Sequence, residues 1–215
     1  MKKTTVFAGS VGMLALAAAA SASPYLGIVS EYVDNGGNIA GDTYRLYVEV
    51  EAGARIDAVF GNAANELNID VEGGSFVQSA YGGPTSMDIN EAFFPFFPSL
   101  EWDSFVTIGR LSNTDNALNN IGIDWTSFES GGALVTDNGS WFVTPNDAQG
   151  GEVGGRVLIG QFTVTSGAAL IGHVSLQGKD ADGATWQATN VSWVPAPGAL
   201  ALLGVAGLAG RRRRR

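Results

Sequence analysis

Acid–base and nucleophilic chemistry needs side chains that exchange protons near neutrality, and this sequence supplies few of them. His173 is its single histidine. The alternation around it sets His173 on one strand face with Ile171, Ser175 and Gln177, opposite Val174 and Leu176, which reads as an exposed sheet position rather than a base. No Gly-x-Ser-x-Gly elbow, His-Glu-x-x-His helix or phosphate-binding loop occurs. Glu91, Glu101 and Asp103 lie near an aromatic stretch, and two converging carboxyls are enough for glycoside hydrolysis. Among 21 acidic residues such proximity is expected by chance, so the chain reads as a non-enzyme with no catalytic residues. Asp180 and Asp182, followed by Gly183, place carboxylates at alternate positions as calcium loops do, but an EF-hand has Gly sixth and Glu twelfth, where this chain has Val191 twelfth. A hairpin turn accounts for the same residues. No cofactor is expected, and calcium at this pair stays as the alternative. The five tryptophans and the run Phe93, Phe94, Phe96, Phe97 are core candidates first and a stacking surface for sugars second.

The sharpest signals lie at the two ends. Pro195, Ala196 and Pro197 precede an uncharged run over residues 198–210, which closes on Arg211, Arg212, Arg213, Arg214 and Arg215. At 1.5 Å per residue that run makes a helix of roughly 20 Å, short against a hydrocarbon core of about 30 Å. Snorkelling arginines lengthen its reach and hold the C-terminus on the cytoplasmic side of the membrane. Two prolines so close together end the helix and leave extended backbone at the membrane surface, a form that a protease binds. At the other end, Lys2 and Lys3, an apolar run over residues 6–20 and the small-x-small pattern of Ala20 and Ala22 predict a signal peptide cut after Ala22.

The tail resembles the PEP-CTERM sorting signal. That resemblance covers residues 194–215 and departs from the family's usual motif, in which Glu stands where this chain has Ala196. It implies a Gram-negative bacterium that makes extracellular polysaccharide, and an exosortase in the inner membrane that processes the exported protein. A Leu-Pro-x-Thr-Gly signal is absent, a GPI signal does not end in arginines, and a basic tail for nucleic acid would not follow an apolar helix. The expected organisation is a signal peptide over residues 1–22, one domain over 23–193, and the sorting tail with its transmembrane helix over 194–215. The expected partners are signal peptidase, the exosortase-like enzyme, the inner membrane and extracellular polysaccharide. The expected destination is the cell surface or extracellular matrix, in a structural or adhesive role. A carbohydrate-binding module is the alternative, and a polysaccharide-acting hydrolase a distant one.

The body between the two ends is strongly acidic. Seven of the twelve basic residues sit in the termini, leaving Arg45, Arg55, Arg110, Arg156 and Lys179 against 21 acids, a net of −16. So few cations argue against nucleic acid and anionic lipid as partners of the body. With no cysteine, the exported domain rests on its core alone and lacks thiolate chemistry.

The positioning elements must be strands, because the hydrophobic period is two. In residues 43–51, Tyr44, Leu46, Val48 and Val50 share one face, with Arg45, Tyr47, Glu49 and Glu51 on the other. Further strands are expected at residues 25–33, 55–60, 66–72, 76–79, 102–109, 121–125, 141–144 and 184–193. A hairpin is expected between 157–165 and 170–177, and a single helical turn at 115–120. Trp186 and Trp193, seven apart, fall on opposite faces of the last strand unless a bulge intervenes. These elements predict an all-β, antiparallel β-sandwich, with a jelly roll as the closest rival. The body resembles the domains of other PEP-CTERM proteins and cohesin-type sandwiches.

Overall fold

The computed structural model describes residues 23–194. Ala20, Ala22, the motif Pro195, Ala196, Pro197 and the arginines of residues 211–215 lie outside the described residues. Among the described residues, no helix is long and apolar enough to cross a membrane.

The chain folds as antiparallel β-structure in two sheets. The strands are β1 (Tyr25–Val33), β2 (Asp42–Val50), β3 (Arg55–Gly61), β4 (Leu67–Glu72), β5 (Phe105–Val106), β6 (Asn119–Ile121), β7 (Leu134–Thr136), β8 (Gly139–Phe142), β9 (Arg156–Val164), β10 (Ala169–Lys179) and β11 (Thr185–Ser192). One sheet has the order β1-β2-β9-β5, and the other runs β6-β8-β3-β10-β4-β7 with β11 on β10. A single apolar cluster, with Leu46, Val48 and Phe162 from the first sheet and Ile56, Val59, Ile69 and Leu176 from the second, fills the space between them.

The register shows that the larger sheet is built from interrupted strands. Arg55 to Phe60 pair with Lys179 to Ser175, and Asn68 to Glu72 continue the same side of β10 along His173 to Ala169. β11 takes the opposite side, since His173 pairs with both Asn68 and Ser192. On the next ladder, β8 pairs with β3 and β7 with β4. The excursion between β3 and β4 closes on itself, because the Asn62 carboxamide oxygen accepts from the Ala64 and Asn65 N–H groups. Gly61 sits at the pinch point, where a Cβ would strike the Thr136 carbonyl and the Leu67 backbone.

Two bulges reset which residues face the core. Leu46 pairs with Gly160 but Tyr47 with Leu158, so Ile159 is the extra residue of β9. Core residues therefore fall at Val157 and Ile159 and then at Phe162 and Val164. On β11, the three steps from Ala188 to Val191 span the two from Leu176 to Val174, and Asn190 in the bulge has φ +51°. The added residue brings Trp186 and Trp193 to the same face, and both are buried.

Several expected elements differ. Residues 157–165 and 170–177 do not form a hairpin: β9 is flanked by β2 and β5, β10 by other strands, and the turn between them carries the chain from sheet to sheet. In the segment 76–79 only Phe76 makes a ladder contact, with Val164. Residues 102–109 shrink to β5, since Pro98–Trp102 is a 3-10 turn and the Asp103 and Ser104 side chains occupy the backbone groups a longer ladder would need. The strand expected at 121–125 ends at Ile121, before Gly122 at φ +71°. No helical turn forms at 115–120, where Asp115 has φ +49°; the helix α1 is Thr126–Glu129, at whose start the Asp124 carboxylate accepts from the Thr126 N–H. His173, expected to be exposed, is half-buried between β4 and β11.

The β11 bulge predicts graded effects at one position. Asn190→Gly should leave stability nearly unchanged, and Asn190→Ala should cost about 1 kcal/mol for a left-handed Ala. Deleting Asn190, which turns Trp193 out of the core, should cost about 3–5 kcal/mol, the scale of losing a buried aromatic. Urea unfolding midpoints measure all three; a deletion no worse than the Ala variant contradicts the bulge.

Candidate functional site

The outer face of the four-stranded sheet is where the polar chemistry gathers. Thr43, Arg45 and Tyr47 point outward from β2, opposite the core row Tyr44, Leu46 and Val48, and Gln161 and Thr163 do so from β9. Part of this face is covered by the long connection between β4 and β5. Gln161 donates to the Glu101 and Asp103 carbonyls, and the Thr163 hydroxyl bonds Trp102 O and lies 2.7 Å from the Thr43 hydroxyl. A second, smaller apolar cluster of Ile89, Leu100 and Phe105, with Phe94 and Phe97 against it, fills the connection itself.

Asp103 organises that connection. Its Oδ1 accepts from the Ser79 N–H at 2.6 Å and the Ser104 N–H at 2.9 Å, and its Oδ2 from the Gly83 N–H at 3.1 Å. Gly82 beside it has no room for a Cβ, which would fall on Oδ2. Burial pushes the Asp103 carboxyl up to about 7; the three N–H donors pull it down, and the Glu129 carboxylate adds to the rise. The residue is thus a structural anchor that changes charge near neutrality.

Beside this covered area lies a cleft of about 600 Å³. Its floor is Tyr47, Leu158 and Arg156 on the sheet, and its walls are residues 109–115 and 148–153. The Arg156 guanidinium stacks 4.0 Å from the Tyr47 ring centre, and its Nη1 reaches the Glu31 carboxylate at 2.7 Å. The walls are tied together by buried Gln149, whose Nε2 donates to Ile108 O and Asn116 Oδ1 and whose Oε1 accepts from the Ala117 N–H. At the cleft edge the Ser112 hydroxyl donates to Glu91. The 152–155 turn is held by Glu152, whose carboxyl stays below its ordinary value because the Gly155 and Gly53 N–H groups donate to it. The cleft is therefore preformed and offers both donors and acceptors.

The other candidates occupy different places. Asp180 Oδ1 accepts from the Asp182 and Ala184 N–H groups and so holds the hairpin turn before β11. Among the described residues, no three His, Cys, Asp or Glu side chains gather at metal-binding distance. Glu101 is exposed, Asp103 buried, and Glu91 lines the cleft. The aromatics divide: Trp141, Phe105, Phe128 and Phe162 are fully buried, whereas Phe93 and Phe96 are exposed and Tyr81 stacks on Phe97 at 3.8 Å. Sequence reading missed the cleft, though its one local trace was present: Arg110 and Arg156 are two of only five cations in the body, and Tyr47 was already on the outward face.

The chain matches no protein-family model, and searches of curated proteins and of solved structures give no significant match.

The Asp103 environment sets a pH dependence. With the folded value near 7 and the ordinary one at 3.8, the folded state keeps a proton that the unfolded chain has lost between those limits. The stability tied to this proton is fully present below pH 4 and is lost as pH rises through about 7. Relative to Asp103→Asn, the wild type should lose roughly 4 kcal/mol between pH 4 and pH 8. Urea unfolding of both proteins across that range checks it, and parallel curves would refute it.

Proposed function

We propose that this chain is an exported, non-enzymatic surface or matrix protein, carried across the inner membrane by its signal peptide and sorted by its PEP-CTERM-like tail. Its role in this reading is structural or adhesive. The supporting observation is the place of Trp193. That indole is buried in the core and donates to the Leu170 carbonyl at 3.0 Å, and Pro195 follows two residues later. Every described core residue therefore lies upstream of the motif, so a cut beyond Pro197 removes none of them. Signal peptidase at Ala22 and an exosortase-like enzyme at the tail are the partners of this route. The two sheets, four strands against a set of interrupted ones, are read as a cohesin-like or jelly-roll-like sandwich.

A carbohydrate-binding role is the second reading, favoured by the cleft. Sugar recognition uses planar polar side chains with donors and acceptors beside an aromatic or aliphatic surface. Tyr47, Arg156, Arg110 and Glu91 supply that combination. The same reading gives the exposed Phe93 and Phe96 a use as stacking surface on extracellular polysaccharide.

Intact-mass analysis of protein from its native host, in membrane and medium fractions, tests the sorting reading. The wild type should begin at Ser23 and lack the residues beyond about Pro197, while Pro195→Ala with Pro197→Ala should stay full length beyond the signal peptide and remain in the membrane. Wild type that retains Arg215 in every fraction makes the tail a plain anchor and ends the exosortase assignment.

A further inference from the structure

Of the five cations in the body, four are already engaged. Arg55 pairs with Asp57, Arg156 with Glu31, Arg45 bonds the Gln161 side chain, and Lys179 bonds the Gly183 carbonyl. Arg110 is exposed in the cleft, and among the described residues its guanidinium makes no hydrogen bond or ion pair. An arginine that leaves 21 acids unused, in a cleft shared with a second arginine, is a free fork for a planar oxyanion. Arg156 reinforces it: stacking on Tyr47 fixes its plane, and only Nη1 is spent on Glu31.

Glu91 and Asp115 also line the cleft, and they decide the ligand class. Two carboxylates disfavour a small dianion such as sulfate, whose oxygens accept but do not donate. They suit a ligand that brings a carboxylate for arginine and hydroxyls for the acids. A uronic acid residue has both. At the rim, exposed Val153 and Leu111 offer apolar surface to the C–H face of a sugar ring. The net negative body opposes an acidic polymer at long range, but at physiological ionic strength a Debye length of about 8 Å confines that repulsion and leaves close contacts intact.

We propose that the cleft binds carboxylate-bearing sugars of an acidic polysaccharide, with Arg110 holding the carboxylate, Arg156 supporting it, and Glu91 accepting from hydroxyls. This assignment rests on the carbohydrate-binding reading and adds the sugar class.

The test is titration calorimetry of the full-length protein in detergent micelles with three oligosaccharides of matched length: an oligouronate, a neutral one and a sulfated one. The oligouronate should bind best. Arg110→Gln should weaken it about tenfold or more, the loss of a charge-assisted pair. Arg110→Lys should recover part of the affinity, and Lys179→Gln none should be lost, all with unchanged unfolding midpoints. Equal binding of the neutral oligomer with no effect of Arg110→Gln overturns the acidic-sugar assignment and leaves carbohydrate binding standing. Preference for the sulfated oligomer also overturns it. Failure of all three to bind overturns both readings.

Discussion

A carboxyl group removed from water must be neutral or well supplied with donors, and Asp103 is positioned by that requirement. Its oxygens draw in the N–H groups of Ser79, Gly83 and Ser104, which brings the start and the end of the long connection between β4 and β5 to one point. A connection of this length without strands of its own is uncommon in a compact domain, and it needs internal ties to hold a shape. The Ile89, Leu100 and Phe105 cluster supplies apolar burial, while Gln161 and Thr163 fasten the connection to β9. β9 consequently is buried on both faces, apolar toward the core and polar toward the connection. The sheet's outer face is then only partly free, and the cleft lies at the margin of the cover.

The regular strands were legible because one buried face forces a period of two. β1 and β2 fall where the alternation puts them, and β3, β4 and β11 to within a residue or two. Legibility failed where side chains replaced backbone pairing. Nothing local distinguishes Asp103 and Ser104 from strand residues, since apart from the bond between them their partners lie 20 or more residues away at Gly83, Ser79, Val77 and Thr163. The expected hairpin failed for a different reason. Residues 157–165 and 170–177 are both apolar with a short turn between them, a pattern equally suited to a pair within one sheet and to a step from one sheet to the other. The edges of β9 were already claimed by β2 and β5, a long-range fact that no local window contains.

The cleft was less legible still. Tyr47, Glu91, Arg110 and Arg156 come from four separate segments, and the cleft walls depend on Gln149 reaching Ile108 and Asn116. Composition gave one hint, because an acidic body with five cations has few ways to place two of them together without a reason. The Asp180 turn shows the converse. Its residues were legible as a turn, because Oδ1 accepts from the N–H groups of Asp182 and Ala184, two and four residues on, within one local window.

The last described strand and the cleft belong to different sheets, which gives the two proposed activities separate surfaces. β11 belongs to the sheet of interrupted strands, and its bulge turns Trp193 inward so that the last described residue, Val194, leaves directly from the packed edge. The cleft lies on the outward face of the other sheet, floored by β2 and β9. A tether at Val194 therefore takes no residue from the cleft, and a ligand there takes none from the tether. The core between the sheets is continuous and contains residues of both, so pull on a bound polymer would be borne by the sandwich rather than by one hairpin. That division suits a domain that must be anchored at one surface while it holds something at another.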